Sequence, residues 1–228
     1  KVLTNDNYFS QEANIKYFSV SQFKAFMKCE QRAYADLTGD YEPEQTTPLL
    51  VGSYVDAYYE GALDKFKAEH PEILKRDGTL KADYKKADEI IERCNRDKLF
   101  TEYMSGNPQV IMTGELFGYK WKIKVDSLHP DKIVDLKVMR DFEPVYIPGE
   151  GKQHFINAWG YDIQAAVYQA IIEQNTGKRL PFYIPAATKE KNPDIQIFKI
   201  PQHAIDTALK IVEYNIDRIA DIKSGLEE

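Results

Sequence analysis

Two aspartates and a lysine are the residues of this 228-residue chain best placed to do chemistry. They are Asp126 and, after eight intervening residues, Asp135-Leu136-Lys137. Around the first, Trp121, Ile123 and Val125 alternate with Lys120, Lys122, Lys124 and Asp126, the period-2 pattern of a half-buried strand. His129-Pro130-Asp131 supplies a turn, because proline fixes φ and aspartate tolerates turn geometry. Beyond it Val134, Leu136 and Val138 point one way, while Ile133, Asp135 and Lys137 point the other. If the two strands pair, Asp126 and Asp135 become neighbours beside an ammonium group. Two carboxylates and a lysine so placed make a site for a divalent cation and a polarised water.

The elements that must hold these residues follow from periodicity. Residues 109–117 form a strand leading into the hairpin, with Glu115 among apolar neighbours. Residues 156–175 make the strongest helix, on which Gln164 and Tyr168 stand four apart and reach one cleft, where an amide and a phenol would hold a phosphate or the attacking water. Upstream, a helix capped by Ser21 runs to about residue 37, a second spans 49–70 with Asp56 between apolar residues, and a charge-rich third spans 82–104. Residues 138–155, with two prolines and two glycines, read as a mobile loop beside the cleft carrying Arg140 and Lys152 as substrate contacts. A hairpin turning at 189–194 and a helix from Gln202 close the chain.

The order is three helices, three strands, a helix, two strands and a helix. It implies an α/β fold: a mixed β-sheet flanked by helices, with an N-terminal helical portion and a restriction-endonuclease-like core. One domain over 1–228 is expected, made of an irregular arm at 1–18, a helical portion at 19–105, a sheet core with the active site at 106–200, and a C-terminal helix at 201–228.

Composition narrows the function. Hydrophobic residues make up 43% and charged residues 29%, ordinary for a globular protein, and no apolar run approaches a bilayer span. The polar N-terminal stretch does not read as a signal peptide, so a cytoplasmic protein without membrane contact is expected. Cys29 and Cys94 are too few for a disulfide framework or for the four thiolates of an iron–sulfur cluster, and no cluster is expected. There is no GxSxG, Walker A or HExxH motif, and the oxygen-rich donor set disfavours zinc. The net charge of −6 requires that any nucleic-acid contact come from a local basic patch, such as Lys120, Lys122 and Lys124.

The ordered motifs carry a resemblance. Asp126 with Asp135-Leu136-Lys137 resembles the PD-(D/E)xK nuclease signature. Gln164-Ala165-Ala166-Val167-Tyr168 fits the QxxxY motif of the RecB-like branch, and Gly52-Ser53-Tyr54-Val55-Asp56 stands where that branch has GxxxH. From about Phe18 to Tyr168 the chain is similar to phage and prophage exonucleases of the RecE type (exodeoxyribonuclease VIII-like). The resemblance implies metal ligation by Asp126, Asp135, the Leu136 carbonyl and Asp56. Aspartate in place of the family's histidine is a harder oxygen donor, suited to Mg²⁺ with Mn²⁺ as substitute. It also implies catalysis by Asp126, Asp135 and Lys137 with Gln164 and Tyr168, Glu115 as a supporting carboxylate, and a DNA phosphate contact at Arg32.

The function so implied is 5′→3′ resection of linear double-stranded DNA ends in phage-type recombination. The partners would be a phage single-strand annealing protein and further copies of the chain in a homo-oligomeric ring. Two other readings stay open: a CRISPR-adaptation-type or repair-associated nuclease of the same superfamily, and a catalytically inert DNA-binding or assembly protein.

Overall fold

The computed structural model describes residues 2–225. Its centre is a mixed sheet whose architecture follows from one long hairpin. β1 (Asn107–Leu116) and β2 (Tyr119–Leu128) pair antiparallel along their whole length. They turn through Phe117 and Gly118, both at positive φ (54° and 81°), as a two-residue turn matched to strand twist requires.

β3 (Ile133–Val134) pairs antiparallel with the end of β2 and parallel with β7 (Phe182–Thr188). After Asp135-Leu136 the same strand resumes as β4 (Lys137–Met139), still in register with β7. β8 (Ile195–Lys199) closes the far edge, antiparallel to β7. Residues 133–136 are all buried, as a central strand demands.

Helices cover both faces. On one side α9 (Tyr161–Thr176), α10 (Gln202–Ser224) and α2 (Val20–Lys28) bury Trp121, Ile123, Phe182 and Ile184. On the other, α4 (Thr47–Tyr59) and α6 (Ala82–Asn95) bury Tyr54, Val55 and Ile90 against Leu136 and Ala187. The interrupted strand therefore lies between two apolar layers, each able to deliver polar side chains to its break. This is the restriction-endonuclease-like arrangement of a mixed sheet flanked by helices, with a helical N-terminal region. Among the described residues no helix is long and apolar enough to cross a membrane.

Several elements differ from the sequence reading. The first long helix is two, α2 and α3 (Glu30–Thr38), because Cys29 between them is extended at φ −163°. Its cap is Ser19 rather than Ser21: the chain arrives extended from Phe18, and the Ser19 hydroxyl accepts from Gln22 N. The helix expected over 49–70 ends at Tyr59 and restarts as α5 (Leu63–Glu69) after Gly61, which holds φ at +71°. The third divides into α6 and α7 (Lys98–Tyr103), which Asp97 caps. The helix expected at 156–175 is α8 (Phe155–Ala158) and α9, separated by Gly160 at φ +64°.

Residues 138–155 are not a structureless loop. β5 (Val145–Ile147) and β6 (Gly151–Gln153) form a small hairpin there. The N-terminal segment is likewise more than an irregular arm, since it contains α1 (Gln11–Lys16) and its Phe18 bonds both ways to β2, N to Lys120 O and O from Lys122 N. It covers the part of β2 that the short β3 leaves unpaired. The last three positions of the expected C-terminal helix (201–228) lie outside the described residues.

Candidate active site

The break between β3 and β4 is where the carboxylates meet. Ser127 pairs with Val134 and Leu128 with Ile133, so the next step of the register sets Asp126 opposite Asp135. There the strands part, and the Leu136 N–H donates to Asp126 Oδ2 at 2.8 Å instead of to a backbone carbonyl. Asp135 is 2% exposed; its Oδ1 accepts from Gln164 Nε2 at 2.8 Å and its Oδ2 pairs with the Lys137 ammonium. Lys137 Nζ also lies over the Tyr161 ring, 5.2 Å from its centroid. Gln164 and Tyr168 project from α9 as the four-residue spacing requires, and the Tyr168 hydroxyl donates to Lys124 O at 3.0 Å.

These groups line a cleft of about 300 Å³, into which α4 also brings Asp56. The electrostatics show carboxylates in excess. Burial, then the charges of Asp135 and Asp56, holds the Asp126 carboxyl well above its usual range despite Lys137 and the Leu136 N–H. Burial pushes Asp56 up to about 7, with Lys137 opposing and Asp135 and Glu60 adding to it. For Lys137, burial works against the charged form, but Asp135 and Asp126 outweigh it and lift its pKa above the ordinary lysine value. The ammonium is therefore firmly charged.

The donors fit a hard cation in kind: carboxylates at Asp56, Asp126 and Asp135, the first two raised chiefly by burial, and a backbone carbonyl at Leu136. In the present arrangement Asp135 is ion-paired and Asp126 is bonded to the backbone instead. Asp135 spends its oxygens on Lys137 and Gln164, and among the described residues no three His, Cys, Asp or Glu side chains are grouped to hold a metal.

Other residues named from sequence lie elsewhere. Glu115 is exposed near the hairpin turn, opposite Lys120, and its backbone bonds Gln174; it does not line the cleft. Arg32 is exposed on α3, with its guanidinium against the Tyr41 ring and hydroxyl. Arg140 pairs with Asp141 at 2.5 Å, and Lys152 is exposed on β6; neither borders the cleft. Of the supposed basic strand face, Lys120 is exposed, but Lys122 is 1% exposed because the N-terminal segment lies over it.

Several cleft residues escaped the sequence reading. Glu60 follows Asp56 by one helical turn and lies 3.8 Å from Lys124 Nζ; the i,i+4 carboxylate spacing was the available signal. Lys24 bonds Trp159 O at 2.9 Å, and burial with Lys137 nearby lowers it to about 8 against the pull of Asp135 and Asp162. Tyr8 arrives from the N-terminal segment, which no periodicity marks. Gln109 falls opposite Asp126 in the β1–β2 register with φ at +52°, a conformation that costs a non-glycine residue about 1–3 kcal/mol and clusters at functional sites.

A strand interrupted at D-x-K, facing a second aspartate and braced by a glutamine helix, defines the class. Residues 19–228 match the PDDEXK-like domain of unknown function (DUF3799), and the chain belongs to that family. A crystal structure from Eubacterium rectale, described as a "putative exonuclease", is 51% identical with a TM-score of 0.97; the match covers 100% of this chain and 89% of that one. No curated protein matches the chain.

Proposed function

We propose that the protein is a metal-dependent exodeoxyribonuclease that hydrolyses linear double-stranded DNA from its ends, 5′→3′, as enzymes of the phage and prophage RecE type do. The observation that carries this reading is Asp126 facing Asp135 across the split strand, with the Lys137 ammonium and the Gln164 amide both on Asp135. Likeness to a protein described as an exonuclease supports the reaction class.

Asp126, Asp135, the Leu136 carbonyl and Asp56 would hold Mg²⁺, with Mn²⁺ as a substitute. When bound, the cation lowers the pKa of water and neutralises phosphate oxygens. The chain's own groups supply the rest. Because its carboxylate neighbours keep Lys137 charged, it acts by orienting the attacking water and stabilising charge on the phosphoryl oxygens rather than by taking a proton. Gln164 fixes the orientation of Asp135 through Oδ1. Tyr168 steadies β2 through the Lys124 carbonyl, so its role is to position the strand that carries Asp126. The resemblance further supports delivery of single strands to a phage annealing protein and assembly of several copies around DNA.

Incubating end-labelled linear duplex with Mg²⁺, Mn²⁺ or EDTA, for the wild type and Asp135→Ala, tests the reading. Metal-dependent release of nucleotides by the wild type alone is expected, starting at the 5′ label. Undiminished activity in Asp135→Ala would overturn the site. Inactivity in every divalent metal would favour the inert DNA-binding reading, which the engaged oxygens of Asp135 and the lack of a three-ligand group among the described residues support.

A further inference from the structure

Phe9 is 71% exposed. It borders the cleft of about 300 Å³ and also the two grooves that adjoin it, of about 490 Å³ and about 570 Å³. Phe9 therefore stands where the three spaces adjoin. Lys124 Nζ lies 5.5 Å from the ring centroid, within the same cleft. An aromatic face beside an ammonium is the pairing by which proteins hold single strands, the ring taking a base and the cation a phosphate.

The ring is also held in place. Its neighbour Tyr8 is buried, and the Tyr8 carbonyl accepts from the Lys122 ammonium, which sits 4.5 Å from the centroid of the Tyr8 ring. On the other side the Ser10 hydroxyl caps α1 through Ala13 N at 3.2 Å. Tyr8 meets Phe9 edge-to-face, with centroids 4.9 Å apart and planes at 84°. An exposed ring fixed from both sides is pre-organised, so little order is lost when a flat group packs on it.

We propose that Phe9 is a stacking platform at the mouth of the cleft, on which a nucleobase of the bound DNA strand packs while its phosphate approaches Lys124. The proposal rests on the reading of the cleft as a DNA-hydrolysing site. Stacking is indifferent to base identity, because every base has a π-face, so the platform suits a nuclease without sequence preference. Phe9 lies before the segment that matches the family, which begins at residue 19.

Two measurements test it. In EDTA, a duplex with 2-aminopurine at its terminal pair should change fluorescence on binding the wild type and Phe9→Trp, but not Phe9→Ala. With Mg²⁺ or Mn²⁺, the wild type should degrade a duplex with abasic terminal nucleotides about ten-fold more slowly than one with normal ends, the scale of one lost base–aromatic stack. Phe9→Ala should be slow on both. An unchanged fluorescence response in Phe9→Ala, or an undiminished difference between normal and abasic ends, would overturn the platform. A wild type that hydrolyses nothing yet keeps the Phe9-dependent response removes the nuclease reading and leaves the platform standing. Hydrolysis without any response does the reverse, and the absence of both defeats both.

Discussion

The Leu136 amide bonds to the Asp126 carboxylate, not to the backbone of β2, at 2.8 Å. This one contact joins fold and chemistry. It replaces the ladder bond that β2 and β3 would have made next, so the sheet can open at Asp135 without leaving a buried donor unpaired. Asp126 also lines the cleft that holds Asp135 and Asp56.

The contact separates the two functions of Asp126. In Asp126→Ala the Leu136 N–H loses its acceptor in a buried setting, and stability should fall by about 1–3 kcal/mol. Asp126→Asn keeps a side-chain carbonyl for that bond and should lose less than half as much. Both should lose nuclease activity. Urea unfolding of the two variants checks this, and equal destabilisation would show that the bond does not hold the break.

The pH dependence of stability should report the crowded carboxyls. Burial, opposed by Lys137 and helped by Asp135 and Glu60, puts Asp56 at about 7, above the roughly 3.9 of an unfolded aspartate. A group raised in this way binds more protons folded than unfolded, so its contribution to stability is fully present below about pH 4 and lost as pH rises through about 7. Asp126 is raised for the same reason and acts in the same direction. Without divalent cations, melting temperature should therefore contain a component that declines from about pH 4 to about pH 7. Mg²⁺ must displace those protons, so the rise in melting temperature it causes should be larger at pH 8 than at pH 5. An equal rise at both would argue against cation binding by these carboxylates.

Much of this was legible in the sequence because it followed from short-range periodicity. Alternation in β2 gave the buried set Trp121, Ile123 and Val125, and the four-residue spacing of Gln164 and Tyr168 put both in the cleft. The breaks in long helices at Cys29, Gly61 and Gly160 were harder to see, because each depends on what the chain must reach next and not on the residues of the helix itself. Glu115 was placed with the site for being an acid on the right strand. Only the register shows that β1 approaches Asp126 at Gln109, six residues earlier. Lys122 misled for a related reason. Strand parity fixes which face a side chain takes, but not whether a distant segment, here residues 8–18, will cover that face.

Lys137 should behave as a counter-ion that a metal can replace. Removing it leaves Asp135 buried and uncompensated, and breaking such a pair by deleting one partner costs about 3–5 kcal/mol. Lys137→Ala should approach the low end of that range, because the lysine side chain is 22% exposed and water can reach the vacated space. Mg²⁺ should restore more stability to Lys137→Ala than it adds to the wild type, while activity stays lost in both metal conditions. Thermal melts with and without Mg²⁺ decide it; a smaller metal effect in the variant would mean that Lys137 and the cation do not share the same carboxylates.

Lys122 should tether the N-terminal segment to the sheet. Its ammonium donates to the Tyr8 carbonyl and to Asn14 Oδ1 at 2.7 Å, and Lys223 from α10 adds bonds to the carbonyls of Asn14 and Tyr17, each 2.8 Å. Both lysines reach into the same segment, residues 8–17, one from β2 and one from α10. Lys122→Met keeps most of the length and the apolar stem of the side chain but gives up both hydrogen bonds. The β1–β2 hairpin, whose core lies on the other face at Trp121 and Ile123, should remain folded, while the segment loosens. Limited proteolysis should then cut within residues 1–18 several-fold faster than in the wild type, with the rest of the chain resistant. Because Tyr8 holds Phe9 in place, the 2-aminopurine response should weaken in parallel. Faster cutting throughout the chain would instead mean that Lys122 supports the sheet as a whole, and unchanged cutting would mean that Phe18 pairing with β2 suffices to hold the segment down.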